Sequence, residues 1–175
     1  MRPPVDEARL RDLAEALGAT PGPPVRLYLT GGATALIEGW RATTVDVDLR
    51  FEPQDDAMLR ALPALKERLA INIELVSRPD FVPELPGWRE RSPFLFSSSR
   101  VSVHHFDPYS QALAKIERGF AQDRDDVGEL IARGLVDSKR LRQLFAGVRD
   151  QLYRYPSINP TALERKLDEQ LASRE

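Results

Sequence analysis

The chain predicts an α+β fold, with a small mixed sheet and flanking helices followed by a C-terminal helical bundle. Three observations predict it. Short β-prone runs alternate with helical patterns up to residue 107, and clusters of Gly, Pro and Asp punctuate that half. After Asp107-Pro108 only helical periodicity remains.

The elements follow in order. Asp6 caps a first helix whose Leu10, Leu13, Ala14 and Leu17 share one face. "GATPGPP" breaks the chain, and "VRLYLT" (25–30) reads as a strand. Gly31-Gly32 then hands over to a short helix in "ATALIEGW". "TVDVDLRF" alternates, with Val45, Val47 and Leu49 on one side and Asp46, Asp48 and Arg50 on the other. Asp55 or Asp56 opens a helix running to Leu69, and "INIELV" (71–76) is a further strand. "SRPDFVPELPGW" is a proline-rich loop, and "PFLF" and "RVSVHHF" flank "SSS" as the arms of a hairpin. Two helices broken around residues 119–123 come next. A helix with a stripe at Leu141, Leu144, Phe145, Val148 and Leu152 follows, and the last helix has Thr161 and Glu164 at capping-box spacing.

This organisation predicts an α/β core over 1–107 and a helical region over 108–175, packed as one compact unit. A chain of 175 residues buries a core without metals or cross-links. It has no cysteine, which excludes disulfides and thiolate zinc sites and suits a reducing cytoplasm. The N-terminus lacks a signal-like apolar core, and no segment approaches the roughly 20 apolar residues of a membrane span. A net charge of −2 argues against general coating of nucleic acid.

Residues 27–51, "LYLTGGATALIEGWRATTVDVDLRF", carry the chemistry. Glycine costs backbone entropy and aspartate is a poor strand former, so neither choice serves stability. Asp46 and Asp48 project from one strand face, roughly 7 Å apart. Such carboxylates repel unless a cation or solvent screens them, and their oxygens suit hard divalent ions beside substrate phosphates. The plainer alternative is a solvated sheet face with Arg50 as partner. A glycine turn leading into a helix supplies backbone N–H groups for an anion. Together, the turn and the strand suit a nucleoside triphosphate with its magnesium.

"LTGGATALIEGWRATTVDVDL" resembles the signature of the nucleotidyltransferase superfamily of polymerase-beta-like fold, with thirteen residues between Gly32 and Asp46. The pattern "R-x-T-x-x-D-x-D" (Arg41, Thr43, Asp46, Asp48) is similar to bacterial abortive-infection nucleotidyltransferases known for toxin–antitoxin pairs. "LAKIERGFAQDRDDV" is similar to that group's helical segment, with Lys115, Asp123 and Asp126 at the matching positions. "DFVPELPGW" and "DPYSQALAKIERG" resemble a little-characterised family of the same superfamily.

The resemblance implies a Mg²⁺-dependent (or Mn²⁺-dependent) transfer of an NMP group from an NTP to an acceptor hydroxyl of tRNA, protein or a small molecule. Asp46, Asp48 and Glu74 would hold the metal. Thr30, Gly31, Gly32, Arg41, Thr43 and Lys115 would bind nucleotide, with Asp123 and Asp126 in support. Glu74 departs from the aspartate more usual there. A toxin role implies a separate antitoxin partner. The alternative is a catalytically silent member that binds nucleotide or protein.

Plainer uses compete for several residues. Lys115 pairs with acids one helix turn away, and Asp123, Asp125 and Asp126 charge a helix N-terminus favourably. His104 and His105 face opposite ways on a strand and cannot jointly chelate, which puts one in the core. Trp40, Trp88 and Tyr109 serve packing before base stacking. Lys139, Arg140, Arg142 and Arg149 give one helix a basic polar side, suited to solvent, RNA or an acidic partner.

Overall fold

A computed structural model describes residues 1–76 and 83–173. The chain divides into two compact units, Met1–Ser77 with Ser92–Phe106, and Arg78–Arg91 with Asp107–Glu175. Of the predicted loop "SRPDFVPELPGW", residues 77–82 lie outside the described residues.

The first unit contains α1 (Glu7–Gly18), β1 (Val25–Thr30), α2 (Gly32–Ile37), β2 (Asp46–Glu52), α3 (Asp56–Arg68), β3 (Asn72–Leu75), β4 (Phe94–Ser98) and β5 (Val101–His105). The strands form one mixed sheet in the order β3-β2-β1-β5-β4. β1 runs antiparallel to β2 and parallel to β5, β2 runs parallel to β3, and β4–β5 is the predicted antiparallel hairpin. An α+β architecture with a mixed sheet and later helices is what the sequence predicts.

Alternation decides the two faces of this sheet. Leu27, Leu29, Val47, Leu49, Ile73, Val101 and Val103 are buried on one face. The buried stripe of α1, Leu10, Leu13, Ala14 and Leu17, joins them in one core with Met58, Leu62 and Leu65 of α3. Each fully buried leucine contributes about 1.5–3 kcal/mol. Both helices start at aspartates: Asp6 accepts from the N–H of Arg9 at 2.9 Å and Asp55 from that of Met58 at 2.8 Å. Arg100 holds Asp55 in a bidentate pair at 2.7 and 3.0 Å and also donates to the carbonyls of Thr20 and Pro23.

The second unit contains α4 (Pro108–Arg118), α5 (Ala121–Ala132), α6 (Ser138–Arg149), a 3-10 turn at Leu152–Arg154, and α7 (Pro160–Ala172). α4 packs against α5, α6 and α7. The break before α5 is shorter than predicted, because Asp123 accepts the N–H of Phe120 at 3.2 Å and the helix begins at Ala121, inside the predicted break. The Thr161–Glu164 capping box does not form. Asn159 caps α7 instead, accepting from Ala162 at 3.0 Å, because Pro160 occupies the first helical position and pushes Thr161 into the helix. Glu164 turns to Arg149 at 2.9 Å.

Candidate functional site

β2 carries its aspartates as the alternation requires, but Val45, expected on the side of Val47 and Leu49, precedes the strand and is 69% exposed. Val47 and Leu49 are buried in the core, and this turns Asp46 and Asp48 to the opposite, half-exposed face. Strand register then adds neighbours. Asp48 lies opposite Thr30 of β1 on one side and opposite Glu74 of β3 on the other. Thr30, Asp48 and Glu74 therefore form a row across three strands, with Glu74 exposed on the outer one. Asp46 lies opposite Asn72 and accepts a hydrogen bond from its side-chain amide.

The glycine turn closes over that row. Gly31 has φ +61° and ψ −127°, which side chains rarely tolerate, and a Cβ there would stand 2.8 Å from Asp48 Oδ2. Gly32 is crowded from another side, since a Cβ on it would meet Thr44 Oγ1 at 2.1 Å and would lie 3.8 Å from Arg41 Nη1. Thr44 Oγ1 donates to the carbonyl of Asp46 at 2.9 Å. The backbone of Thr44 exchanges two hydrogen bonds with Val5, at 2.7 and 2.9 Å, so the N-terminal segment pins this loop.

Thr43, the predicted nucleotide contact, is exposed, whereas its neighbour Thr44 is buried against Gly32. Adjacent threonines carry no signal of which one turns inward. Asn72 was equally unmarked, since its partner is set by pairing across the sheet.

Asp46, Asp48 and Glu74 offer only hard oxygen donors, and the turn beside them leaves no room for a Cβ. That donor chemistry fits a hard divalent cation. Among the described residues no group of three or more His, Cys, Asp or Glu side chains is placed to hold a metal ion. Mg²⁺ typically uses one or two carboxylates, with phosphate and water oxygens completing its shell.

The two histidines separate as predicted. His104 lies on the polar face, beside Tyr28 and Phe94, with Nε2 3.2 Å from Ser102 Oγ. His105 is fully buried on the core face, and its Nε2 lies 2.7 Å from Glu38 Oε1 just beyond α2. Burial pushes the His105 imidazole below its usual pKa against the opposing pull of Glu38. The neutral ring donates from Nε2, which leaves Nδ1 buried with no hydrogen-bond partner among the described residues. An unsatisfied buried acceptor costs about 1–3 kcal/mol.

In the helical unit, Lys115, Asp123 and Asp126 come together. Lys115 Nζ lies 2.6 Å from Asp126 and 3.7 Å from Asp123, and all three are buried. Arg118 holds Asp123 from the other side. Burial raises the Asp123 carboxyl, but the Arg118 hydrogen bond and the charges of Arg118 and Lys115 outweigh it and hold the group below its ordinary pKa. Trp88 is buried and Trp40 half-buried, and Tyr109 accepts the N–H of Asp137 at 3.1 Å. Two arginines of the basic helix pair with α7, Arg142 with Asp168 and Arg149 with Glu164.

Residues 8–165 match a family described as "Nucleotidyltransferase of unknown function (DUF6036)". No curated protein matches the chain. Among solved structures, an antigenic nucleotidyltransferase-like protein from Paracoccidioides brasiliensis is similar at 16% identity and a TM-score of 0.46, covering 93% of this chain and 95% of that one. No helix among the described residues is long and apolar enough to cross a membrane.

Proposed function

We propose, from the premise that the chain belongs to this family of nucleotidyltransferases of unknown function, that it moves an NMP group from an NTP to an acceptor hydroxyl with Mg²⁺ (or Mn²⁺). The observation that carries the reading is the row Thr30–Asp48–Glu74 beneath the Gly31 turn, with Asp46 two residues along the same face. Asp46, Asp48 and Glu74 would hold the divalent ion, which when bound neutralises triphosphate charge during phosphoryl transfer. The N–H groups of Gly31 and Gly32, the Thr30 hydroxyl and the Arg41 guanidinium orient phosphate oxygens. Thr43 stands on the exposed side of the same loop, where it would meet nucleotide. Phosphoryl transfer depends mainly on such positioning and charge placement.

The acceptor oxygen bonds to the α-phosphorus as the bond to the departing pyrophosphate breaks, and the acceptor's proton passes to Glu74 where that carboxylate is not engaged as a metal ligand, otherwise to solvent. Lys115 would serve a phosphate only by exchanging a carboxylate of Asp126 or Asp123 for a phosphate oxygen. The acceptor class covers an RNA end, a protein side chain or a small molecule. In a toxin role, the chain would be silenced by a separate antitoxin protein.

Calorimetry with ATP, GTP, CTP and UTP, each with and without Mg²⁺, tests this on the natural protein and on Asp46→Asn/Asp48→Asn. Magnesium-dependent binding confined to the natural protein is the expected result. Equal binding by the double variant would sink the site. Binding without NMP transfer to tRNA, protein or the chain itself would leave the catalytically silent binding module as the better reading.

A further inference from the structure

The buried His105–Glu38 pair stands outside the proposed chemistry. It joins two elements that bracket the glycine turn. His105 ends β5 directly opposite Leu29 of β1, and the following N–H of Phe106 donates to the Leu29 carbonyl at 2.7 Å. Only Thr30 separates that point from Gly31. Glu38 sits at the other end of α2, where its N–H donates to Thr34 at 3.0 Å. The hydroxyl of Thr34 points back to the same Leu29 carbonyl at 3.4 Å. The N–H groups of Gly39, Trp40 and Arg41 then converge on the Ala35 carbonyl at 3.1–3.2 Å, folding the chain so that Arg41 returns to Gly32.

We propose that the Glu38–His105 hydrogen bond is a positioning device for the nucleotide site, anchoring the far end of α2 to β5 so that the Gly31–Gly32 turn and Arg41 keep their places beside Asp48. The substrate role of that site rests on the nucleotidyl-transfer reading; the tether itself does not. α2 is only six residues long; Ala33, Thr34, Ala35 and Leu36 are buried, but no side chain caps its N-terminus. The pair fixes the second end with a 2.7 Å bond. It does so at the expense of a bare Nδ1 in the core, which a hydrophobic residue would not leave. A group kept for stability alone would not carry that defect, whereas a group kept for geometry would.

The experiment compares amide exchange over residues 31–41, thermal stability and Mg²⁺-dependent NTP affinity in His105→Leu, Glu38→Ala and Glu38→Gln. His105→Leu removes the bare acceptor and is expected to melt no lower than the natural protein. Its amides at 31–41 should nevertheless exchange about tenfold faster, and its NTP affinity should fall about tenfold, the scale at which supporting contacts act on a site. Glu38→Ala, at a partly exposed position, should do the same. Glu38→Gln keeps an acceptor for Nε2 and should restore both. Unchanged exchange at 31–41 in His105→Leu and Glu38→Ala overturns the tether. Absence of Mg²⁺-dependent NTP binding by the natural protein would instead defeat the nucleotidyl-transfer reading, while the exchange comparison still decides the tether.

Discussion

Gly31 and Asp48 are fitted to one another: the space a Gly31 side chain would take lies 2.8 Å from Asp48 Oδ2, and the Gly31 backbone has a φ of +61°. The turn and the strand aspartate are thus one feature. The glycine is required by the carboxylate beneath it as well as by its own backbone.

Gly31→Ala should therefore do double damage. The backbone strain amounts to about 1–3 kcal/mol, and the new methyl group displaces the Asp48 carboxylate. Urea denaturation should register the strain, and calorimetry should register loss of Mg²⁺-dependent NTP binding. Binding retained at natural affinity would mean that Asp48 does not depend on the open space above it.

Gly32 and Thr44 should behave as a coupled pair. Gly32→Ala collides with Thr44 Oγ1, whereas Gly32→Ala in a Thr44→Gly background does not. A double-mutant cycle on stability should give a coupling of about 0.5–3 kcal/mol, the range for residues in contact. Strict additivity would show that the close approach is relieved elsewhere.

Asp55 and Arg100 make an acid-sensitive joint, with their side chains only 8% and 9% exposed. The Arg100 hydrogen bond, with the N–H of Met58, brings the Asp55 carboxyl from 3.8 down to about 2. A carboxyl depressed by folding contributes its full stability above its unfolded pKa. That contribution is lost as pH falls from about 4 through about 2. Asp55→Asn leaves Arg100 buried without its charge partner and should cost about 3 kcal/mol at pH 7. The gap between variant and natural protein should narrow when urea denaturation is repeated near pH 2.5. A constant gap would show that the pair's charge is not the source of the difference.

How much was legible in the sequence depended on range. The face of β2 is written in four consecutive residues, because Val47 and Leu49 must be buried and therefore turn Asp46 and Asp48 outward. The opposite facing of His104 and His105 and the caps at Asp6 and Asp55 are equally local. Local rules failed where two local solutions compete, as when Pro160 moved the α7 cap from Thr161 to Asn159.

The sequence by itself determined the alternation of strands and helices, the face carrying the two aspartates, and the place of the glycine turn, because each follows from steric and solvation rules acting over a few residues. Only the tertiary structure decided that Glu74 stands opposite Asp48, that Asn72 donates to Asp46, that Thr44 rather than Thr43 fills the space over Gly32, and that His105 meets Glu38. Those partners lie between 12 and 67 positions apart along the chain. The pairs across the sheet are fixed by strand order and register, which the burial of the whole sheet selects at once, and the other two by the path of the chain around α2.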